Sequence, residues 1–158
     1  MENDHSKFML EAIRLSIDNV EHGNGGPFGA IVVKDGKIIA HGINQVTSSN
    51  DPTAHAEVVA IRAACKVLNT FQLNGCEIYT SCEPCPMCLG AINWARPDKL
   101  FYANSKEDAA RINFDDQFIY EEIAKPVEGR RLFTRQILRD EALAAFEKWT
   151  KSTTKIEY

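Results

Sequence analysis

A chain of 158 residues, 44% apolar and 25% charged, is long enough for one domain with a real core and has the balance of an ordinary globular protein. A formal net charge of -4 and a pI of about 5.6 argue against the broad basic face of a nucleic-acid binder. No apolar run approaches a membrane span, and the polar opening Met1 to Lys7 lacks the apolar stretch of a secretory signal.

The pattern of Met9, Leu10, Ile13, Ile17 and Val20 predicts an amphipathic helix over 6–22, with Ser6 as N-cap and His5 in a frayed terminus. Gly23 ends it. Gly23-Asn24-Gly25-Gly26-Pro27-Phe28-Gly29 follows, either a plain connector or a place where backbone approaches a ligand closely, with Phe28 as an aromatic wall. Ala30 to Val33 and Lys37 to Ala40 are β-rich and flank Asp35-Gly36, a hairpin signal. The polar run from Asn44 to Thr53 reads as a loop. Asp51-Pro52 reads as an N-cap with proline at the first helical position, opening a helix to about Leu68 that carries His55 and Glu57 near its start.

Asn74-Gly75 marks a turn, and Cys76 to Thr80 a buried strand. A helix begins near Pro84 and ends at Arg96-Pro97. Lys99 to Ala103 is a strand; 106–112 and 116–124 read as helical. Leu132 to Leu138 is a strand or an extended connection, and Asp140 to Thr150 an amphipathic helix. With no repeat or linker, 1–158 reads as a single domain. The order predicts an α/β fold: a three-layer α/β/α sandwich on a mixed sheet of about five strands.

Cys82-Glu83-Pro84-Cys85-Pro86-Met87-Cys88 carries the chemistry. The five cysteines, Cys65, Cys76, Cys82, Cys85 and Cys88, are odd in number, and three fall within seven residues. That is metal chemistry in a reducing compartment rather than a disulfide framework, so a cytoplasmic protein is expected. Cys65 and Cys76 read as packing. Cys85 and Cys88, three apart, share one face at a helix start, where the helix dipole favours thiolate. His55 and Glu57, two apart, serve one site only if it lies beyond their helix N-terminus. One His and two Cys then leave an open fourth position, the pattern of a catalytic zinc. The alternative is a closed structural zinc with Cys82 as the fourth ligand. Glu57 weighs for the open site, because a carboxylate in reach of an attacking water is a general acid/base and a structural site has no use for it.

His55-Ala56-Glu57 followed by Pro84-Cys85-x-x-Cys88 resembles the H-x-E…P-C-x-x-C signature of zinc-dependent nucleobase deaminases, and the element order resembles the cytidine-deaminase-like fold. Gly25 to Ala30, Asn50 to Glu57, Thr80 to Cys88, Phe114-Asp115-Asp116 and the closing Glu157-Tyr158 together are similar to the small bacterial guanine deaminases of that superfamily. The resemblance implies one zinc per subunit held by His55, Cys85 and Cys88. It makes Glu57 the proton shuttle for water attack at C2 of guanine, which releases ammonia and xanthine. It has Asn44 hydrogen-bond the purine, Phe28 pack on its ring, and Asp116 contact the 2-amino group or assist proton transfer. It also implies a homodimer in which the C-terminal segment, about 140–158 here, is exchanged and Tyr158 enters the partner's site. Two alternatives stand beside it: deamination of another base or nucleoside, including adenosine in tRNA, which the acidic total disfavours, and a non-catalytic zinc module.

Overall fold

A computed structural model of the chain describes residues 5–158. Its contacts divide the chain into two compact units, one running through Asp116 and the other Gln117–Tyr158.

The first unit opens with α1 (His5–Glu21) and continues as the hairpin β1 (Gly29–Lys34) and β2 (Lys37–Ile43). Asp35 and Gly36 both take positive φ in the tight turn between them, as the Asp-Gly pair predicts. Then come a short α2 (Val46–Ser49), α3 (Ala56–Leu68), β3 (Cys76–Cys82), α4 (Pro86–Ala95), β4 (Lys99–Asn104) and α5 (Lys106–Arg111). The sheet order is β2-β1-β3-β4, with β1 antiparallel to both neighbours and β3 parallel to β4. A parallel pair needs a crossover, and α4 supplies it. Against an expectation of about five strands, four are laddered: 132–138 is irregular and pairs with no strand among the described residues.

β1 is apolar from Gly29 to Val33 because both of its faces are covered. Ala30 and Val32 join Ala56, Ala60, Ala64, Ile78 and Ile92 in one core, under α3 and α4. Ile31 and Val33 join Ala12 and Tyr79 in the other, under α1. This is the three-layer sandwich, and an uninterrupted apolar strand is its signature. The close approach of α1 requires glycine at 29, where a Cβ would stand 2.5 Å from the Ala12 carbonyl oxygen.

Four local expectations are corrected. First, Ser6 is not an N-cap but lies within α1, and His5 is not frayed: its Nδ1 lies 2.6 Å from the Tyr79 hydroxyl, which donates to Glu77 at 2.7 Å. Second, the buried face of α1 is Ala12, Ser16 and Asn19, while Leu10, Ile17 and Val20 of the expected apolar stripe are exposed. Third, Asp51-Pro52 does not start α3. The Asp51 carboxylate accepts from the Thr53 N–H (2.8 Å) and hydroxyl (2.7 Å), closing a side-chain turn that competes with helix. Fourth, α4 begins two residues after Pro84, at Pro86.

The second unit comprises α6 (Gln117–Ala124), a 3-10 turn (Val127–Gly129), the irregular 130–138 run and α7 (Arg139–Lys151). Glu122 ties it together, accepting from the Arg131 N–H at 2.7 Å. None of its residues is fully buried, and Phe133 is 86% exposed.

Candidate active site and metal centre

Two helix starts and one strand end make the site. His55 is the N-cap of α3 and Cys85 the N-cap of α4, both with extended backbone. The corrected helix starts therefore move both residues to positions whose side chains project beyond the helix end. Gly42 lets the first turn of α3 lie against β2, since a Cβ there would stand 2.1 Å from the Ala56 carbonyl oxygen. Pro86 fits as the first residue of α4, where its missing N–H costs nothing. Neither N-cap side chain makes a capping hydrogen bond; both turn to a common point instead. His55 Nδ1 lies 3.5 Å from Cys85 Sγ and 3.4 Å from Cys88 Sγ. Tetrahedral zinc with its usual Zn–N and Zn–S bond lengths sets N and S about 3.5 Å apart. The donors thus fit zinc, and this His-Cys-Cys group is the one metal-competent cluster among the described residues.

The thiols share a proton. A hydrogen bond from Cys88, helped by His55 and opposed by burial, holds Cys85 down to about 4. Cys88 keeps its proton for the same reason and because it is buried. His55 is raised, chiefly by its bond to Cys85. Cys85 is thus the thiol most inclined to the thiolate form, beside His55.

Glu57, in the first turn of α3, is buried at 6% exposure, and that burial raises its carboxyl. Its own backbone N–H, the Thr80 hydroxyl and Cys88 act the other way. Thr80 Oγ1 donates to Glu57 Oε1 at 2.9 Å, between two buried residues. A carboxyl raised toward neutrality beside a metal centre can both take and return a proton. Thr80 escaped the sequence reading because it sits in a buried strand run; its alternation with Tyr79 and Ser81 was the available signal. Ser81 has a parallel task, accepting the Gly29 N–H at 3.0 Å and so tying the glycine-rich loop to the strand end.

Cys82 stands apart from the cluster. Its Sγ donates to the Ser105 carbonyl oxygen at 3.6 Å, and burial pushes the thiol up to about 11. It is a packed thiol at the strand end and not a fourth ligand in this geometry.

Of the expected substrate contacts, Asn44 and Phe28 are brought together: the Asn44 N–H donates to the Phe28 carbonyl oxygen at 3.1 Å. Asn44 is buried, and its Oδ1 accepts from the N–H groups of Gly26 (3.4 Å) and Val46 (3.2 Å). Both partners are donors, so the amide orientation is fixed and the Nδ2 donor stays available. Phe28 packs edge-on against Phe114 with ring centroids 5.0 Å apart. Asp116 is half-buried; burial raises its carboxyl, and the Cys85 charge adds to this. Tyr158 ends the second unit and is 71% exposed.

A β3–α4 crossover carrying two cysteines, with a histidine and a buried glutamate delivered from a neighbouring helix start, defines a zinc-dependent hydrolytic site. Residues 2–104 match the model of the cytidine and deoxycytidylate deaminase zinc-binding region, and the chain belongs to that family. Across 98% of its length it is 57% identical to the guanine deaminase of Bacillus subtilis, 99% of which is covered. The crystal structure of a Bacillus subtilis guanine deaminase superposes with a TM-score of 0.96 over 98% of this chain and 99% of that one. A guanine deaminase from Nitrosomonas europaea aligns at 35% identity and a TM-score of 0.66, over 69% of this chain and 63% of that one. A tRNA-specific adenosine deaminase of Aquifex aeolicus is 49% identical over 61% of this chain and 63% of its own length. The metal is zinc, as the family and the donor set agree. No helix among the described residues is long and apolar enough to cross a membrane.

Proposed function

We propose that this chain catalyses the hydrolytic deamination of guanine to xanthine and ammonia. The observation that carries the reading is the reach of the similarity: it spans 98% of the chain for a guanine deaminase but 61% for the tRNA adenosine deaminase. The net charge of -4 also disfavours an RNA substrate.

His55, Cys85 and Cys88 hold the zinc, which supplies Lewis acidity and makes water a nucleophile at neutral pH. Glu57 takes one proton from the attacking water and delivers it to the ring nitrogen beside C2 as the C–O bond forms, then takes the remaining hydroxyl proton and delivers it to the 2-amino group. The C–N bond breaks as the C2 carbonyl forms, and ammonia leaves. Thr80 keeps the Glu57 carboxylate oriented. Asn44, its Oδ1 occupied by backbone, donates through Nδ2 to an acceptor on the purine. Phe28 packs on the ring, and Asp116 accepts from the 2-amino group or aids its protonation.

The homodimer, with the C-terminal segment exchanged and Tyr158 closing the partner's site, belongs to the same proposal. Its support is the second unit itself: 42 residues without one fully buried side chain need another surface to cover them. A cytoplasmic, reducing setting suits five free cysteines.

The test supplies guanine, guanosine, adenine, cytosine and a tRNA anticodon stem in parallel and follows ammonia. Guanine is expected to be turned over fastest. Faster release from any other substrate overturns the assignment.

A further inference from the structure

Asn19, on the buried face of α1, is 1% exposed and belongs to none of the chemistry above. Its Nδ2 donates both hydrogens to main-chain carbonyls on two separate segments: Gly26 of the glycine-rich loop at 2.8 Å and Asn44 at 3.0 Å. Both partners are acceptors, so the amide cannot be turned round. Its own carbonyl oxygen Oδ1 is buried and has no hydrogen-bond partner among the described residues, so the side chain is held by its two donors. The Asn19 main-chain oxygen adds a third tie, accepting from the Asn24 N–H at 3.1 Å. The segments it joins also press on each other: a Cβ at Gly25 would stand 2.4 Å from the Asn44 carbonyl oxygen.

We propose that Asn19 is a positioning residue for purine recognition. It clamps the Phe28 loop to Asn44 from beneath, so the Asn44 amide and the Phe28 ring meet the base at a fixed separation. The inference rests on the reading of Asn44 and Phe28 as purine contacts. Asn19 touches neither zinc ligands nor Glu57, so its loss weakens binding and spares chemistry, which appears as a rise in KM with kcat kept.

The experiment compares Asn19→Ala, Asn19→Ser, Asn44→Ala and Asn19→Ala/Asn44→Ala for kcat and KM on guanine, zinc content and melting temperature. Asn19→Ala is expected to raise KM roughly ten- to a hundredfold, the loss of two hydrogen bonds, with kcat within about threefold and zinc bound. Asn19→Ser, which keeps one donor, falls between. The double variant stays within about threefold of Asn44→Ala, because the two act in series. An Asn44→Ala variant with normal KM overturns the reading of Asn44 and this inference with it. A damaged Asn44→Ala beside an unaffected Asn19→Ala overturns this inference alone, as does a fully additive double variant. Loss of zinc or of the folded state in both Asn19 variants makes the residue part of the fold only and equally overturns the role.

Discussion

Thr80→Val keeps the shape of a fully buried side chain and removes the one side-chain hydroxyl that holds Glu57. The bond is 2.9 Å long and lies between residues that are 1% and 6% exposed, so water does not replace it. A hydrogen bond to a charged group is worth about 1.5–3 kcal/mol. The backbone N–H of Glu57 and Cys88 still support the carboxylate, which keeps it in the site but not in one orientation. If the bond orients the carboxylate in the transition state, kcat falls by roughly ten- to a hundredfold at 1.4 kcal/mol per decade. KM for guanine stays near wild type, because Thr80 contacts the base in no step. Steady-state ammonia release gives both constants, and Thr80→Ser is expected to recover most of the loss. A kcat within about threefold of wild type, or a loss confined to KM, would show that Glu57 needs no such support.

Other outcomes follow from the same geometry. Glu57→Gln is expected to retain zinc and to lower turnover by about two to four orders of magnitude, measured by metal analysis and ammonia release. Cys82→Ala is expected to keep its zinc and Cys85→Ala to lose it; equal loss in both would restore the closed four-ligand site. If the tail is exchanged, Glu57→Gln chains mixed with chains lacking Tyr158 recover about a quarter of wild-type activity, since half the dimers then hold one intact site. No recovery after subunit exchange would refute the swap. Lys99, at 2.8 Å, and then Tyr79 hold the Glu77 carboxyl below its ordinary 4.5. The stability this lends is complete above that value and is lost as pH falls through the lowered one. Glu77→Gln should therefore melt lower at neutral pH and lose less than wild type on acidification, a difference that salt reduces because Lys99 is half exposed.

The metal centre was legible because it is written in residue types that have few other uses. Three thiols in seven residues and a His-x-Glu ahead of them admit little besides a metal, and the spacing alone put Cys85 and Cys88 on one face. The helix starts were misplaced at both ligands for one reason: proline and aspartate signal a break in the chain without saying on which side the helix lies. At Asp51 the carboxylate closes a turn on Thr53, and at Pro84 the extended chain simply continues to Pro86. α1 misled differently. Its large apolar side chains marked a stripe, yet the fully buried positions are the small and polar Ala12, Ser16 and Asn19, with Phe8, Met9 and Leu15 packed beside them, because glycine at 29 lets the helix backbone come close to the sheet. The roles of Asn19 and Thr80 were hidden, Asn19 without any signal and Thr80 with only its place in the strand, since a buried amide or hydroxyl has meaning through a partner far away in sequence. The fifth strand had a candidate segment to supply it, Leu132 to Leu138, but no ladder among the described residues.

The two N-cap positions that point away from their own helices bear on how this protein could be made more heat-resistant. An ideal cap such as serine or aspartate at 55 or 85 would lend its helix about 1 kcal/mol. Each such change would delete a proposed zinc ligand, so the simplest stabilising substitution at either helix start would be closed to selection and to engineering alike. Thermal adaptation would then act elsewhere on the chain, and with zinc bound the two helix starts would be tied to one ion. Chelation is then expected to fray α3 and α4 together, from the ends that face each other.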